Sequence, residues 1–216
     1  MKYQAVIFDF DYTLGDSTEG IIESANYGLE ALGYAPAPRE EVRKTIGLSL
    51  AETYHALTGD ASKEHAQIFD RSFKEKADQV MVKNTSLYPG VIQMLEELKG
   101  KGLLLGIVTT KFHYRIDAIL EKCRAEGYFD VIVGGEDVTS MKPDPEGVFL
   151  ALAAWKLEAG QVLYVGDSVV DAKTAKASGV DFAGVTTGTT SRGLLGQYPN
   201  VGIFQDLEEI RNFINS

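Results

Sequence analysis

From Pro89 onward, short apolar runs alternate with segments in which apolar residues recur at helical spacing. The predicted strands are residues 103–108, 131–133, 162–165, 182–185 and 201–204, and the predicted helices are residues 91–99, 114–125, 146–156, 170–177 and 207–214. Alternation of strands with helices is typical of a parallel sheet that carries helices on both faces. The sequence therefore predicts an α/β fold with a Rossmann-like, doubly wound parallel sheet.

The first strand of this sheet lies near the N-terminus, where an apolar run ends in two aspartates. Residues 5–8 are Ala-Val-Ile-Phe, and Asp9 and Asp11 follow. A strand that is apolar on both faces is typical of a buried parallel sheet. Residues two apart on a strand point the same way, and two close carboxylates repel each other unless a cation or a shared proton relieves them. The pair alone could also simply end a strand and begin a turn.

Between this first strand and Pro89 the sequence contains no convincing strand. Apolar residues recur at helical spacing from Ile21 to Leu32, Gly33 follows as a stop signal, and further helices are predicted at residues 40–45, 50–57 and 62–82. We therefore predict two domains. Residues 1–15 and 86–216 form the α/β core, and residues 16–85 form a helical domain inserted into it.

Polar side chains follow four of the predicted strands. They are carboxylates, a hydroxyl and an ammonium: Asp9, Asp11, Thr109, Lys142, Asp167 and Asp171. Ligands of open parallel sheets bind outside the carboxyl ends of the strands, so we expect these side chains to lie together. A hard divalent ion such as Mg²⁺ takes oxygen ligands, and the sequence therefore predicts a magnesium site at this edge.

The composition argues against several classes of partner. The formal net charge of -10 at pH 7 disfavours the nucleic-acid backbone and anionic membranes. The single cysteine, Cys123, allows no internal disulfide, which fits a reducing cytosol. The sequence has no apolar span of 18 residues and no signal-peptide pattern. We expect a cytoplasmic protein that binds neither nucleic acid nor membrane.

The order of the motifs resembles the haloacid dehalogenase superfamily over essentially the whole chain. The matching motifs are Asp9-x-Asp11-x-Thr13, a strand ending in Thr109, Lys142-Pro143, and Gly166-Asp167-Ser168-Val169-Val170-Asp171. The helical insert is similar to the C1-type cap of that superfamily. The most similar members are those of the phosphoglycolate phosphatase and β-phosphoglucomutase types. Tyr12 stands where Gly is more usual, and Thr110 stands where relatives often carry Asn.

The resemblance implies a catalytic role for four matched residues. Asp9 would attack phosphorus and form an aspartyl phosphate. Asp11 would protonate the leaving oxygen and then activate water. Lys142 would bring positive charge to the phosphate and to Asp9, and Thr109 would donate a hydrogen bond to a phosphoryl oxygen. Dehalogenases of the superfamily lack the second aspartate, so Asp11 favours phosphoryl transfer over carbon–halogen cleavage.

The resemblance also implies the metal ligands. Mg²⁺ would be bound by Asp9, Asp167 and the backbone carbonyl of Asp11. Asp171 lies one helical turn beyond Asp167, where it would hold a metal-bound water or Lys142. The less favoured alternative is an ordinary acidic residue of a first helical turn, stabilised by the helix dipole.

The expected substrate is a small phosphorylated metabolite, with phosphoglycolate or a sugar phosphate as the first candidates. The candidate contacts are Thr13, Ser17, Arg43, Lys44 and Thr110. Thr13 could instead brace its loop, and Arg43 and Lys44 could be solvated helix charges. We expect a monomer or a homodimer.

Three other functions compete with a phosphatase. A phosphosugar mutase is disfavoured, because Ile21, Ile46 and Leu50 align with the cap residues that position the sugar in family mutases. A signalling receiver would end its middle strand in the phosphorylated aspartate, whereas glycines follow Val133. A catalytically silent binding module would not need the complete set of charged residues.

Overall fold

The computed structural model describes residues 2–215. The chain divides into two compact units, one of Met1–Asp16 with Leu87–Ser216 and one of Ser17–Ser86. The predicted assignment of residues 1–15 and 86–216 to an α/β core domain and of residues 16–85 to an inserted helical domain remains a prediction. The identification of the second unit as a cap remains a prediction. Within residues 2–215, no helix is both long enough and apolar enough to cross a membrane.

The first unit is built on a parallel sheet, as predicted. Along the whole described chain the strands are β1 (Ala5–Phe8), β2 (Gly15–Asp16), β3 (Ser86–Leu87), β4 (Leu104–Val108), β5 (Val131–Val133), β6 (Val162–Gly166), β7 (Asp181–Val185) and β8 (Gly202–Phe204). Six of them pair in the order β5-β4-β1-β6-β7-β8, every pair being parallel, while β2 and β3 form a separate two-stranded sheet.

The strand order places β1 at a switch point. The chain runs from β1 to β4 and β5 on one side, then returns to β6, β7 and β8 on the other. Phe8, the last residue of β1, is level with Ile107 of β4 and Val165 of β6. The carboxyl ends of the three central strands therefore meet at one edge, which is where open sheets of this type bind ligands.

The helices follow the predicted alternation. They are α1 (Thr18–Glu30), α2 (Arg39–Arg43), α3 (Leu50–Thr58), α4 (Lys63–Val80), α5 (Val91–Gly100), α6 (His113–Cys123), α7 (Glu146–Trp155), α8 (Val169–Ser178), α9 (Arg192–Leu195) and α10 (Leu207–Asn215). Predicted ends differ from the structure by a few residues. The sequence extended α6 to residue 125, but the helix ends at Cys123 because Arg124 adopts the left-handed conformation, with φ at 57°.

The core of the first unit lies around the central strands. All four residues of β1 and all five of β6 are buried. Burial of one large apolar side chain, such as Phe8, contributes about 1.5–3 kcal/mol. A strand held this tightly on both faces fixes the position of the residue that follows it, which is Asp9.

The second unit is helical throughout its core, with α1 packed against α4. Gly28 of α1 allows this approach, because a Cβ atom there would lie 2.8 Å from the ring of Phe69 in α4. Leu29 and Phe73 are buried in the same unit. Helix α3 begins with a capping box between Ser49 and the residue three positions later, and such a cap contributes about 1 kcal/mol.

Candidate active site

Three buried carboxylates meet at the carboxyl edge of the sheet. Asp9 follows β1 directly and donates its backbone N–H to Val165 of β6 at 2.9 Å. One carboxylate oxygen each from Asp9, Asp167 and Asp171 lies within 4.8 Å of the other two. The separation of residues 9 and 167 is therefore small enough for one cation to bridge them, and their role as metal ligands remains a prediction.

Lys142 lies between two of these carboxylates. Its ammonium is 2.7 Å from Oδ1 of Asp9 and 2.7 Å from Oδ1 of Asp171. It also donates to the hydroxyl of Tyr164 at 3.2 Å, and that hydroxyl donates to the carbonyl of Val108 at 3.1 Å. Sequence reasoning did not identify Tyr164, because a tyrosine inside an apolar strand gives no signal of a polar partner.

Burial changes the protonation equilibria of this group. Loss of solvation raises the pKa of Asp9 to about 7, with the Lys142 ammonium opposing the rise and the Asp171 carboxylate adding to it. Burial, together with Asp171 and Asp9, raises the pKa of Asp167 well above its usual range. Burial lowers the pKa of Lys142, but the two carboxylates beside it outweigh this effect and raise the pKa. Lys142 is therefore charged at neutral pH.

Both carboxylate oxygens of Asp171 accept hydrogen bonds from other residues of the protein. Oδ1 accepts from Lys142, and Oδ2 accepts from the backbone N–H of Ser168 at 3.0 Å and from its hydroxyl at 2.6 Å. Asp171 therefore completes a capping box at the start of α8. The contacts of Asp171 agree with holding Lys142 through Oδ1 and also with the alternative of an acidic residue in the first turn of α8.

Asp11 lies beside a second buried lysine that sequence reasoning missed. Nζ of Lys111 is 3.1 Å from Oδ2 of Asp11, and the Lys111 side chain is only 5% exposed. The other oxygen of Asp11, Oδ1, is buried and has no hydrogen-bond partner among residues 2–215. Lys111 lies two positions after Thr109, so the strand-end rule applied to Thr109 could have found it.

The group's charge fits a divalent cation. When all four carboxylates (Asp9, Asp11, Asp167 and Asp171) are ionised and both ammonium groups (Lys111 and Lys142) are charged, the group carries two formal negative charges. Oxygen ligands in this number suit a hard ion such as Mg²⁺. The carboxylate of Asp11 is not in the cluster of three that could hold an ion, which is compatible with its predicted ligation through the backbone carbonyl.

Threonines border the carboxylates. The Thr13 hydroxyl is fully buried and lies 3.5 Å from Oδ1 of Asp167, at the long end of hydrogen-bond distance. Thr109 is buried, and its hydroxyl oxygen accepts from the N–H of Lys111 at 3.2 Å. This bond uses one lone pair and leaves the hydroxyl proton of Thr109 available. Thr110 is half-buried in the same loop.

The loop after β7 also contacts this edge, although no sequence signal marked it. A Cβ atom at Gly188 would lie 1.8 Å from Oδ2 of Asp167, so only glycine fits there. The Thr187 hydroxyl donates to the carbonyl of Tyr12. Tyr12 itself has φ at 60°, in the left-handed region. Glycine adopts that conformation without strain, which explains why a glycine is more usual at this position.

The candidate substrate contacts of the second unit have partners within it. Ser17 is buried, and its hydroxyl accepts from Thr85 at 2.9 Å. Arg43 and Lys44 each form an ion pair with the glutamate three positions earlier, at 3.0 and 2.7 Å. The ion pairs of Arg43 and Lys44 agree with the alternative of ordinary helix charges. The substrate role of Ser17, Arg43 and Lys44 remains a prediction.

Comparison with known proteins gives a consistent result. Residues 6–185 match the family model of haloacid dehalogenase-like hydrolases. The chain is 33% identical over 187 residues to a phosphoglycolate phosphatase of Rhodobacter capsulatus, covering 85% of this chain and 84% of the relative. It is 34% identical over 184 residues to the pyrophosphatase PpaX of Bacillus velezensis, covering 85% and 83%.

A solved structure supports the same assignment. A haloacid dehalogenase-like hydrolase from Bacteroides fragilis is 41% identical, with a TM-score of 0.94, covering 97% of this chain and 100% of the other. The two curated relatives are both named as phosphatases, in agreement with the predicted class of enzyme. The chain belongs to the haloacid dehalogenase-like hydrolase family.

Proposed function

We propose that this protein is a Mg²⁺-dependent phosphomonoester hydrolase that acts through an aspartyl phosphate on a small phosphorylated metabolite. The observation that carries the proposal is the buried Lys142 ammonium, 2.7 Å from both Asp9 and Asp171, at the carboxyl edge of the sheet. An isolated charge is expensive to bury. A site that buries several charges together is typical of catalytic centres.

Asp9 is the proposed nucleophile. Lys142 holds Oδ1 of Asp9, which leaves Oδ2 to attack phosphorus while the bond from phosphorus to the leaving oxygen breaks. This step forms an acyl phosphate on Asp9 and releases an alkoxide unless a proton is supplied.

Asp11 is the proposed acid and base. Asp11 follows Asp9 by two residues at the end of β1, and its carboxyl group would give a proton to the leaving oxygen. The resulting carboxylate then takes a proton from water as that water attacks phosphorus. Asp9 and inorganic phosphate are released, and Asp11 is again protonated.

The remaining groups stabilise charge. Lys142 and the Thr109 hydroxyl would donate to the phosphoryl oxygens, and such preorganised donors are a main source of catalysis in phosphoryl transfer. A divalent cation, bound by Asp9, Asp167 and the carbonyl of Asp11, would neutralise the phosphoryl oxygens. Asp171 would keep Lys142 in place.

A panel of phosphate esters tests this function. We expect release of inorganic phosphate from at least one ester, dependent on Mg²⁺, with phosphoglycolate, sugar phosphates, diphosphate and p-nitrophenyl phosphate included. Diphosphate is included because one relative is named a pyrophosphatase. Isomerisation of a sugar phosphate without phosphate release would instead indicate a mutase.

Substitution of the nucleophile provides the decisive comparison. Asp9→Asn should lower kcat by about 10³-fold or more, because an amide does not attack phosphorus. Asp181→Asn is the matched control, since Asp181 binds Lys2 and Tyr3 at the start of β7. Unchanged turnover by Asp9→Asn would refute the proposal.

A further inference from the structure

We propose that Glu146 is a positioning residue, whose carboxylate closes the loop of residues 139–146 and so directs the side chain of Lys142 into the site. This inference rests on the proposed function, because Lys142 is a group proposed to donate to the phosphoryl oxygens. It assigns a purpose to an acidic residue that the sequence motifs leave without a role.

The carboxylate of Glu146 accepts hydrogen bonds from two consecutive loop residues. Its Oε2 accepts from the backbone N–H of Ser140 at 2.8 Å and from the Thr139 hydroxyl at 2.8 Å. The backbone N–H of Thr139 lies 3.1 Å from each of the two carboxylate oxygens. Hydrogen bonds to an ionised acceptor are about twice as strong as neutral ones. These donors hold the pKa of Glu146 below its usual value, the Thr139 N–H contributing most.

These bonds differ from the ordinary interaction of an acidic residue with a helix N-terminus. The helix dipole favours such a residue without any partner outside the helix. The oxygens of Glu146 instead bind donors that lie seven and six positions earlier in the chain. Thr139 and Ser140 are both exposed, so water could satisfy their donors if the loop were open. Closure of the loop is therefore the specific consequence of these bonds.

Lys142 lies inside the loop that Glu146 closes. Within this loop the Asp144 N–H donates to the Met141 carbonyl at 3.0 Å, and the Glu146 N–H donates to Oδ1 of Asp144 at 3.0 Å. The two prolines that flank Asp144 have fixed φ angles. The segment between the two ends is therefore constrained at successive residues, and a displacement of its first residues would reach Lys142.

The loop determines where the Lys142 side chain starts, and its buried partners determine where it ends. The ammonium is 2.7 Å from both Asp9 and Asp171, and the side chain is 5% exposed. The stem of a lysine is flexible, so a shift of its backbone would change how the ammonium approaches a phosphoryl group. A misplacement of about 1 Å can lower a catalytic rate by about 10²-fold. Glu146 would thus act through Lys142 without touching the substrate.

Removal of the Glu146 carboxylate tests its effect on catalysis. In Glu146→Ala, kcat for the best ester of the panel should fall by about 10- to 100-fold, because Lys142 is no longer held in its productive position. Glu146→Gln should recover part of this loss, because its amide oxygen still accepts hydrogen bonds. Unchanged kcat in Glu146→Ala would overturn the proposal. If that variant does not fold, Glu146→Gln is measured in its place, and a smaller loss is expected.

Chemical labelling of lysines separates positioning from a general loss of structure. The side chains of Lys142 and Lys111 are both 5% exposed, so acetic anhydride should modify both slowly in the wild type. In Glu146→Ala, mass spectrometry should show labelling of Lys142 that is at least about fivefold faster, with Lys111 unchanged, because only the loop of residues 139–146 opens. An equal increase at both lysines, or no change at Lys142, would refute the positioning role.

Glu209→Ala is the matched control. Glu209 is also an acidic residue in the first turn of a helix, and its Oε2 accepts from the backbone N–H of Gln205 at 2.7 Å. That loop carries no proposed site residue, so kcat and the labelling of Lys142 should both stay unchanged. A loss of kcat equal to that of Glu146→Ala would contradict a specific action of Glu146 on Lys142.

The proposed function and the role of Glu146 can fail separately. Labelling requires no turnover, so selective labelling of Lys142 in Glu146→Ala without hydrolysis of any ester by the wild type would refute the proposed function alone. Asp9→Asn tests the proposed function itself. If Asp9→Asn is inactive while Glu146→Ala keeps the kcat and the labelling of the wild type, the role of Glu146 alone is refuted.

Discussion

Two ion pairs with the same N–O distance lie in very different surroundings. Nζ of Lys142 is 2.7 Å from Asp9 in the first unit, and Nζ of Lys44 is 2.7 Å from Glu41 in the second. The side chains of the first pair are each 5% exposed, whereas those of the second are 63% and 55% exposed. The N–O distance therefore does not distinguish the two pairs, whereas the exposed fraction of their side chains does.

The difference follows from solvation. Water screens the exposed pair, and such pairs contribute about 0–1 kcal/mol to stability. A buried pair gains little net energy when intact, but removal of one partner leaves the other charge uncompensated. The predictions below use substitutions to test this distinction between the buried pair and the exposed pair.

The largest effect is expected for Lys142→Met. Loss of the ammonium leaves the carboxylates of Asp9 and Asp171 without their cation, and the free energy of unfolding should fall by about 3–5 kcal/mol. Urea denaturation of the metal-free protein measures this change, and phosphatase activity should be lost with it. A change below about 1 kcal/mol would show that the buried pair behaves like an exposed one.

A smaller effect is expected for Tyr164→Phe. The substitution removes the hydroxyl that donates to Val108 and accepts from Lys142. The buried carbonyl of Val108 then lacks this donor, so the free energy of unfolding should fall by about 1–3 kcal/mol. Activity should fall through kcat more than through KM. An unchanged denaturation midpoint would contradict this role for the hydroxyl.

The raised pKa of Asp9 predicts a pH dependence of stability. With a folded-state pKa of about 7 and an unfolded value of about 3.9, the folded protein holds a proton that the unfolded chain has released. The contribution of Asp9 therefore favours folding at low pH, and it is lost as pH rises from about 4 to about 7. Mg²⁺ binds the ionised carboxylates, so it should stabilise the protein more at pH 7.5 than at pH 5.

Thermal or urea unfolding at several pH values, in EDTA and in Mg²⁺, checks this prediction. Asp9→Asn should weaken the fall in stability between pH 5 and 7 in EDTA. The contribution of Asp9 at each pH is the free energy of unfolding of the wild type minus that of Asp9→Asn. A difference that increases from pH 5 to pH 7 would contradict the predicted sign.

The smallest effect is expected for Lys44→Met in the second unit. Its exposed pair with Glu41 should change the free energy of unfolding by less than about 0.5 kcal/mol. The kinetics then decide its predicted substrate role. A raised KM with unchanged kcat would support a substrate contact, and unchanged kinetics would assign Lys44 to the solvated surface of its helix.

Much of the fold could be predicted from the sequence, because strand and helix periodicity are local signals. The apolar run before Asp9 and the alternation after Pro89 were sufficient for the parallel sheet. The short elements were not predicted, because two-residue strands such as Gly15–Asp16 and the four-residue helix Arg192–Leu195 contain too few residues for a period to appear.

The candidate site was predictable in part for a different reason. The carboxyl ends of parallel strands meet at one edge, so Asp9, Lys142 and Asp167 could be brought together before any contact was known. The partners of those residues depend on packing between distant segments. Sequence alone could not pair Tyr164 with Lys142, nor could it bring the loop of Gly188 against Asp167.

The contact of Gly188 with Asp167 limits how this protein can vary. Its α-carbon approaches a carboxylate so closely that even one methyl group has no room, while its neighbours Thr187 and Thr189 already carry side chains. In a saturation-mutagenesis library of this loop, position 188 should stay invariant among functional clones. Gly188, which has no side chain, would thus be among the least replaceable residues of this protein.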